Sequence, residues 1–254
     1  MRNRLMGSIL AVVAVLAFSP VLLAQTATQS RPATPDLSGV WDPVREPGAD
    51  GRFSAEKYLY LEDPPLQPWA MEIYKRNRAG VTNPRAQGNE GLDPNGVCYP
   101  SGVTRAMVQH TFEIIQVPNK LIMLFEVSDG VRQIYVDGRE HPENWPFGWM
   151  GHSIGKWERD TLVVDTVGLN DKTWFDAGGT PHSDALHVVE RFRRIDHDTL
   201  EVEFTFEDPK AFTKPWGAKK TYRLRPNQEI LERITCEEHL QIGDSESWLS
   251  DVYK

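Results

Sequence analysis

The chain has 254 residues, a formal net charge of −8, 40% hydrophobic and 25% charged residues, and two cysteines. Such acidity excludes the basic surface on which nucleic-acid binding and attachment to anionic membranes depend. The length suits one large all-β domain or one α/β domain, and nothing in the composition asks for two.

The first 24 residues have the layout of a secretory signal peptide. Arg2 and Arg4 give a basic start, Ile9 to Phe18 an apolar core, and Leu22-Leu23-Ala24 a small-residue cleavage site before Gln25. Ser19-Pro20 breaks the apolar run short of the ~20 residues of a spanning helix. Cleavage is therefore expected, leaving a periplasmic or secreted chain with no stable membrane span and a net charge of about −10. Residues 25–36 read as a flexible polar leader and 37–254 as a single domain. In an exported chain Cys98 and Cys236 are expected to form a disulfide, worth about 4–5 kcal/mol on chain-entropy grounds.

Leu37–Trp41 reads as a first strand carrying Gly39-Val40-Trp41. Leu66, Trp69, Ala70, Ile73 and Tyr74 then share one face at helical spacing. Pro68 suits the first turn of that helix, Glu72 and Arg76 an i, i+4 pair, and Gly80 its stop. Residues 81–100 are loop-like. From Phe112 the period becomes two: strands are expected over 112–117, 120–127, 131–136, 151–158, 161–167, 187–195, 199–206, 219–224 and 229–236. Pro118-Asn119, Arg159-Asp160, Asp196-His197-Asp198 and Pro226-Asn227 supply turns between them. Leu200, Val202, Phe204 and Phe206 alternate with polar residues as a half-buried strand does. The expected fold is mainly β: an antiparallel meander closed into a barrel, with one accessory N-terminal helix.

The segment Gly151-His152-Ser153-Ile154-Gly155-Lys156-Trp157-Glu158-Arg159-Asp160-Thr161-Leu162 resembles a family of exported bacterial proteins of unassigned function. Pro181-His182-Ser183-Asp184-Ala185-Leu186-His187, Ile134–Arg139 and Asp208-Pro209-Lys210 extend the resemblance over most of the mature chain. Arg159 here stands at the family's turn glycine. The early Gly-x-Trp followed by a meander is similar to lipocalin-like barrels, which implies a ligand cavity.

Four of the seven histidines and four of the eight tryptophans lie between His141 and Glu190, which makes that run the place to look for chemistry. Gly151–Gly155 matches the Gly-x-Ser-x-Gly elbow, but an elbow needs a strand-to-helix turn, and a hairpin follows here. On a strand His152 and Ser153 face opposite ways. His152, paired with Asp137, Asp165 or Asp184 from another element, is the candidate base, because imidazole titrates near neutrality. His182, Asp184 and His187 form a dense polar cluster; they lack metal-ligand spacing, and no metal is assigned. Glu190 shares strand parity with Val188 and Phe192, so its carboxylate is expected to point inward and to need a partner. Arg139 and His141 follow an Asp137-Gly138 turn, where Arg139 could fork onto an anion. Trp145, Trp149 and Trp174 sit on loops that could line a ligand mouth.

These features point to a small-molecule site at the barrel mouth doing cofactor-free acid–base chemistry of the lyase, isomerase or hydrolase kind. His152 is the base, Asp137 or Asp184 its orienter, and Arg139 an anion clamp. The alternatives are a non-catalytic carrier of an apolar ligand and a structural or interaction domain with a filled core. Whether the protein is an enzyme is left open by the sequence.

Overall fold

The structure is a computed structural model that describes residues 34–44, 64–82, 93–97, 99–127 and 130–231. The expected signal peptide, most of the expected leader, Cys98 and Cys236 lie outside those residues. So does most of the expected last strand, whose first residues, 229–231, are irregular.

Nine strands close into one barrel in sequence order. They are β1 (Gly39–Pro43), β2 (Phe112–Val117), β3 (Lys120–Phe125), β4 (Val131–Tyr135), β5 (His152–Glu158), β6 (Thr161–Val167), β7 (His187–Asp196), β8 (Thr199–Glu207) and β9 (Trp216–Leu224). β1 closes the cylinder by pairing with both β2 (Gly39↔Ile114) and β9 (Trp41↔Leu224). The barrel is lipocalin-like, as the alternation implied, with one departure from a pure meander. β4 and β5 run parallel (Ile134↔Ser153, Tyr135↔Ile154), while every other pair is antiparallel. Parallel neighbours need a crossover rather than a tight turn. Residues 136–151 make it, and they bring His141 and Trp145 against His152 of β5.

Among the described residues two α-helices accompany the barrel. α1 (Pro68–Thr82) runs through Gly80 rather than ending there, and Glu72 pairs with Lys75 at 3.2 Å, one position short of Arg76. Its inner face turns on Ala70 and Asn77, both buried. Trp69 lies at the edge of that face and donates from Nε1 to the Lys210 carbonyl at 2.7 Å. α2 (Gly102–Gln109) is a helix the periodicity did not announce. It is buried from Gly102 to Val108, and Tyr222 of β9 donates its hydroxyl to the Met107 carbonyl at 2.8 Å. The apolar face of α2, Val103, Ala106 and Met107, covers only two turns while Arg105 forks onto Asp93 at 2.6 and 2.7 Å, so the stripe is too short to read as a periodic pattern.

Inside the barrel, Ile134, Leu162, Val164, Val188, Phe192 and Val202 are at most 1% exposed. Phe112 and Tyr222 meet edge-on at 5.0 Å between centroids. Trp41 is fully buried, donates from Nε1 to the Leu37 carbonyl at 2.9 Å, and lies under the Arg194 guanidinium.

The β5–β6 turn keeps a left-handed residue where the resembling family carries glycine. Arg159 has φ 59 and is the first of two turn residues between the facing pair Glu158 and Thr161. A left-handed conformation costs a non-glycine residue about 1–2 kcal/mol, partly offset because glycine loosens the unfolded chain. Arg159→Gly is therefore expected to stabilise the protein by about 0.5–1 kcal/mol, read as a raised urea midpoint. A lower midpoint would show that contacts of the arginine outweigh its backbone strain.

Candidate functional site

Strand parity sorts the polar residues of β4 to β8 onto two sides of one wall. Arg132, Ser153, Thr166 and Glu190 point inward, and all are at most 1% exposed. His152, Asp165, His187 and Glu207 lie at outward positions of β5, β6, β7 and β8, as the alternation with the inward set requires.

The inward set is a closed polar node. Arg132 forks onto Glu190, with Nη1 to Oε1 at 2.8 Å and a short Nη2 contact to Oε2. Its Nε donates to Ser153 Oγ at 3.1 Å and its Nη2 to Thr166 Oγ1 at 2.9 Å, and the two hydroxyls bond each other at 2.9 Å. Glu190 does point inward, and its partner is an arginine on β4, three strands along the same wall. Ser153 is committed to this node, so the elbow-like pentapeptide supplies no exposed nucleophile.

The outward set is a chain of titratable groups. His152 Nδ1 lies 2.8 Å from His141 Nδ1, and His141 Nε2 lies 2.9 Å from Asp165 Oδ1. Asp165 Oδ2 lies 3.0 Å from His187 Nε2, and His187 Nδ1 is 3.6 Å from Glu207 Oε2. Register explains the assembly. His187 faces Glu207 directly, Asp165 is diagonal to His187, and His141 comes down from the crossover loop to fill the diagonal between Asp165 and His152. His152 is walled in by Tyr135, stacked at 5.6 Å between centroids, and by Trp145 at 4.5 Å, so only 3% of it is exposed.

These surroundings pull the protonation states apart. Burial, helped by the charges of His141 and Arg139, lowers the pKa of His152 and favours its neutral form. The hydrogen bond that His187 donates to Asp165 raises the pKa of His187, with Glu207 adding to it. Asp165 itself is held below the usual carboxylate range, by the His187 hydrogen bond first and the His141 bond second. The unit thus joins a histidine whose neutral form is favoured to one whose charged form is favoured, through His141 and the shared Asp165 carboxylate. Asp165 accepts from both Nε2 atoms, which leaves His141 Nδ1 to meet His152 and fixes the order in which protons can pass.

Several residues expected at the site have other work. Asp137 does not orient His152: its carboxylate accepts from Arg139 Nε at 2.9 Å and Nη2 at 2.6 Å. Arg139 is thereby occupied, and its guanidinium lies 3.8 Å from the centre of the Tyr135 ring, so it is no open anion clamp. Asp184 pairs with Lys210 at 2.5 Å rather than with any histidine. His182 is buried; its Nδ1 donates to the Ser183 carbonyl at 3.1 Å and its Nε2 accepts from Thr173 Oγ1 at 2.8 Å, with burial lowering its pKa. Trp174 is 7% exposed and packs instead of lining a mouth.

His182, Asp184 and His187 have separate partners, and among the described residues no three His, Cys, Asp or Glu side chains are grouped to hold a metal ion. The Pro181–His187 and Asp208–Lys210 segments prove to be one structural unit. Asp208 accepts from Ser183 N at 2.6 Å and Ser183 Oγ at 2.7 Å, while Lys210 takes Asp184.

Arg132 and Thr166 carry the inner node without standing out in the sequence, and Asp165, one of three aspartates the sequence offered to His152, is the one the fold joins to the histidines. Asp165 lies in the apolar run Leu162-Val163-Val164-Asp165, and its outward parity was the available signal. No protein-family model matches the chain, and comparison with curated proteins returns no relative.

Proposed function

We propose that this chain is an exported, small-molecule-binding β-barrel protein that carries out cofactor-free acid–base chemistry on the outer wall of the barrel. The observation that carries the reading is the unbroken contact chain His152–His141–Asp165–His187, whose two end histidines are shifted in opposite directions. Titratable groups driven apart in this way form an acid and a base within one site. His152 or His141 takes a proton, His187 supplies one, and Asp165 orients and links them. That inventory fits elimination, isomerisation or hydrolysis, which need proton transfer and nothing else from the protein.

A carrier of apolar ligands would use the barrel interior. That interior is occupied by aromatic side chains and by the Arg132–Glu190 node, and this favours the outer wall.

Proton NMR of the histidine Cε1–H signals tests the reading on the mature protein. His187 is expected to titrate above about pH 6.5 and His152 below it, and both are expected to respond to at least one member of a small-molecule panel that the protein also converts. Histidines that all titrate near the ordinary value, with no panel compound bound or converted, would overturn it.

A further inference from the structure

A cavity of about 380 Å³ opens between the crossover loop and the loop after β6. Phe147 and Trp149 supply aromatic surface; Asn170, Asp171, Lys172 and Asp184 supply the polar rim. Its walls are tied together by backbone bonds, Gly148 N to the Gly168 carbonyl and Asn170 N to the Gly148 carbonyl, both 2.9 Å. Two glycines allow this approach. A Cβ on Gly151 (φ 58) would stand 2.5 Å from the Val167 carbonyl oxygen, and one on Gly168 (φ 73) 3.0 Å from the Trp145 ring. The crossover loop that lines the cavity also carries Trp145, which packs on His152, and Asp184 on its rim precedes His187 by three residues.

The chemistry of the lining selects a ligand class. Phe147 is 61% exposed, far more than a packed aromatic, and so offers its surface to something outside the fold. Asp171 and Lys172 are exposed and, among the described residues, make no side-chain ion pair, while Asp184 is balanced by Lys210. The rim therefore combines acceptors and donors with little net charge, which disfavours an ion. Aromatic surface ringed by both donors and acceptors matches a molecule with an apolar face and hydroxyls around its edge.

We propose that this cavity is a binding subsite for a neutral sugar ring, with Trp149 and Phe147 against the ring face and Asp171, Lys172 and Asn170 on its hydroxyls. The inference rests on the acid–base reading in one respect only: the sugar is taken to be part of the substrate handled by the histidines.

The test is a saturation-transfer NMR and tryptophan-fluorescence titration of the mature protein with methyl β-glucoside, N-acetylglucosamine, cellobiose and xylobiose. At least one is expected to bind saturably in the millimolar range, with about ten-fold weaker binding in Trp149→Ala. The same loss is expected in Phe147→Ala, where the side chain is exposed and the fold is kept, and Asp171→Asn is expected to weaken binding without abolishing it. No binding of any of the four, or binding unchanged in both aromatic variants, would overturn the subsite. The two readings fail separately. Sugar binding without conversion of the sugar or any panel compound would retire the acid–base reading and keep the subsite. Conversion of a non-sugar that depends on Asp165 but not on Trp149 would do the reverse.

Discussion

Glu190→Ala is expected to cost about 3–5 kcal/mol of folding stability, because it leaves the Arg132 guanidinium charged and without its carboxylate inside the barrel. Arg132 and Glu190 are 1% and 0% exposed, so water cannot reach the orphaned cation without opening the wall. Ser153 and Thr166 remain as acceptors, but two neutral hydroxyls do not offset a buried charge. The net worth of the intact pair is a different quantity, since desolvation offsets much of its attraction. Arg132→Met combined with Glu190→Leu is accordingly expected to restore most of the loss, within about 1–2 kcal/mol of the parent. Urea unfolding of the three proteins decides it. A Glu190→Ala loss below about 1 kcal/mol would mean that the interior admits water or a counterion to the arginine.

The node also explains why the outer histidine chain keeps its geometry. β5 holds His152 outward and Ser153 inward, and β6 holds Asp165 outward and Thr166 inward. Adjacent residues on each strand are thus fixed from both faces. The bond from β4 to β7 through Arg132 and Glu190 spans the same strands from inside.

The hairpins were legible because turn chemistry and period-two alternation coincide, as at Pro118-Asn119, where Asn119 takes φ 64, and at Arg159-Asp160. The parallel β4–β5 step was not, because a crossover loop and a long hairpin loop have the same composition. α2 was hidden by its brevity, since eight residues give an apolar stripe of only two turns. At the site, parity alone separated His152 from Ser153 and turned Glu190 inward. It could not choose among Asp137, Asp165 and Asp184 as histidine partner, because that depends on which strands become neighbours. Local sequence pulled toward Asp137, which instead folds back on Arg139 two residues away. The partner that the fold selects, Asp165, is brought there by the β5–β6 and β6–β7 registers.

Asp165→Asn is expected to separate the histidines electrically while leaving the barrel folded. The carboxylate accepts from two imidazoles at once; an amide can accept with Oδ1 from one, and its Nδ2 must donate to the other. One histidine is thereby forced into the opposite tautomer, and the charge that favours the His187 imidazolium is gone. The His187 pKa should fall to its ordinary value of about 6.5 or below, and proton-transfer activity should drop by about 10²–10⁴-fold. The stability difference between parent and variant has a defined pH course. Asp165 has a lowered pKa, so its contribution is present above the unfolded value of about 3.9 and is lost as pH falls through the lowered one. His187 has a raised pKa, so its contribution is full below about 6.5 and is lost as pH rises through the raised value. The two overlap between about pH 4 and 6.5, where the parent's advantage should be greatest, and it should shrink on either side. His152, whose pKa is lowered, pulls both proteins the other way by losing stability as pH falls below about 6.5, and so cancels in the comparison. Thermal melts of both proteins from pH 4 to 9, paired with the Cε1–H titration, measure it. A flat difference with an unmoved His187 would mean that Asp165 and His187 are neighbours without being partners.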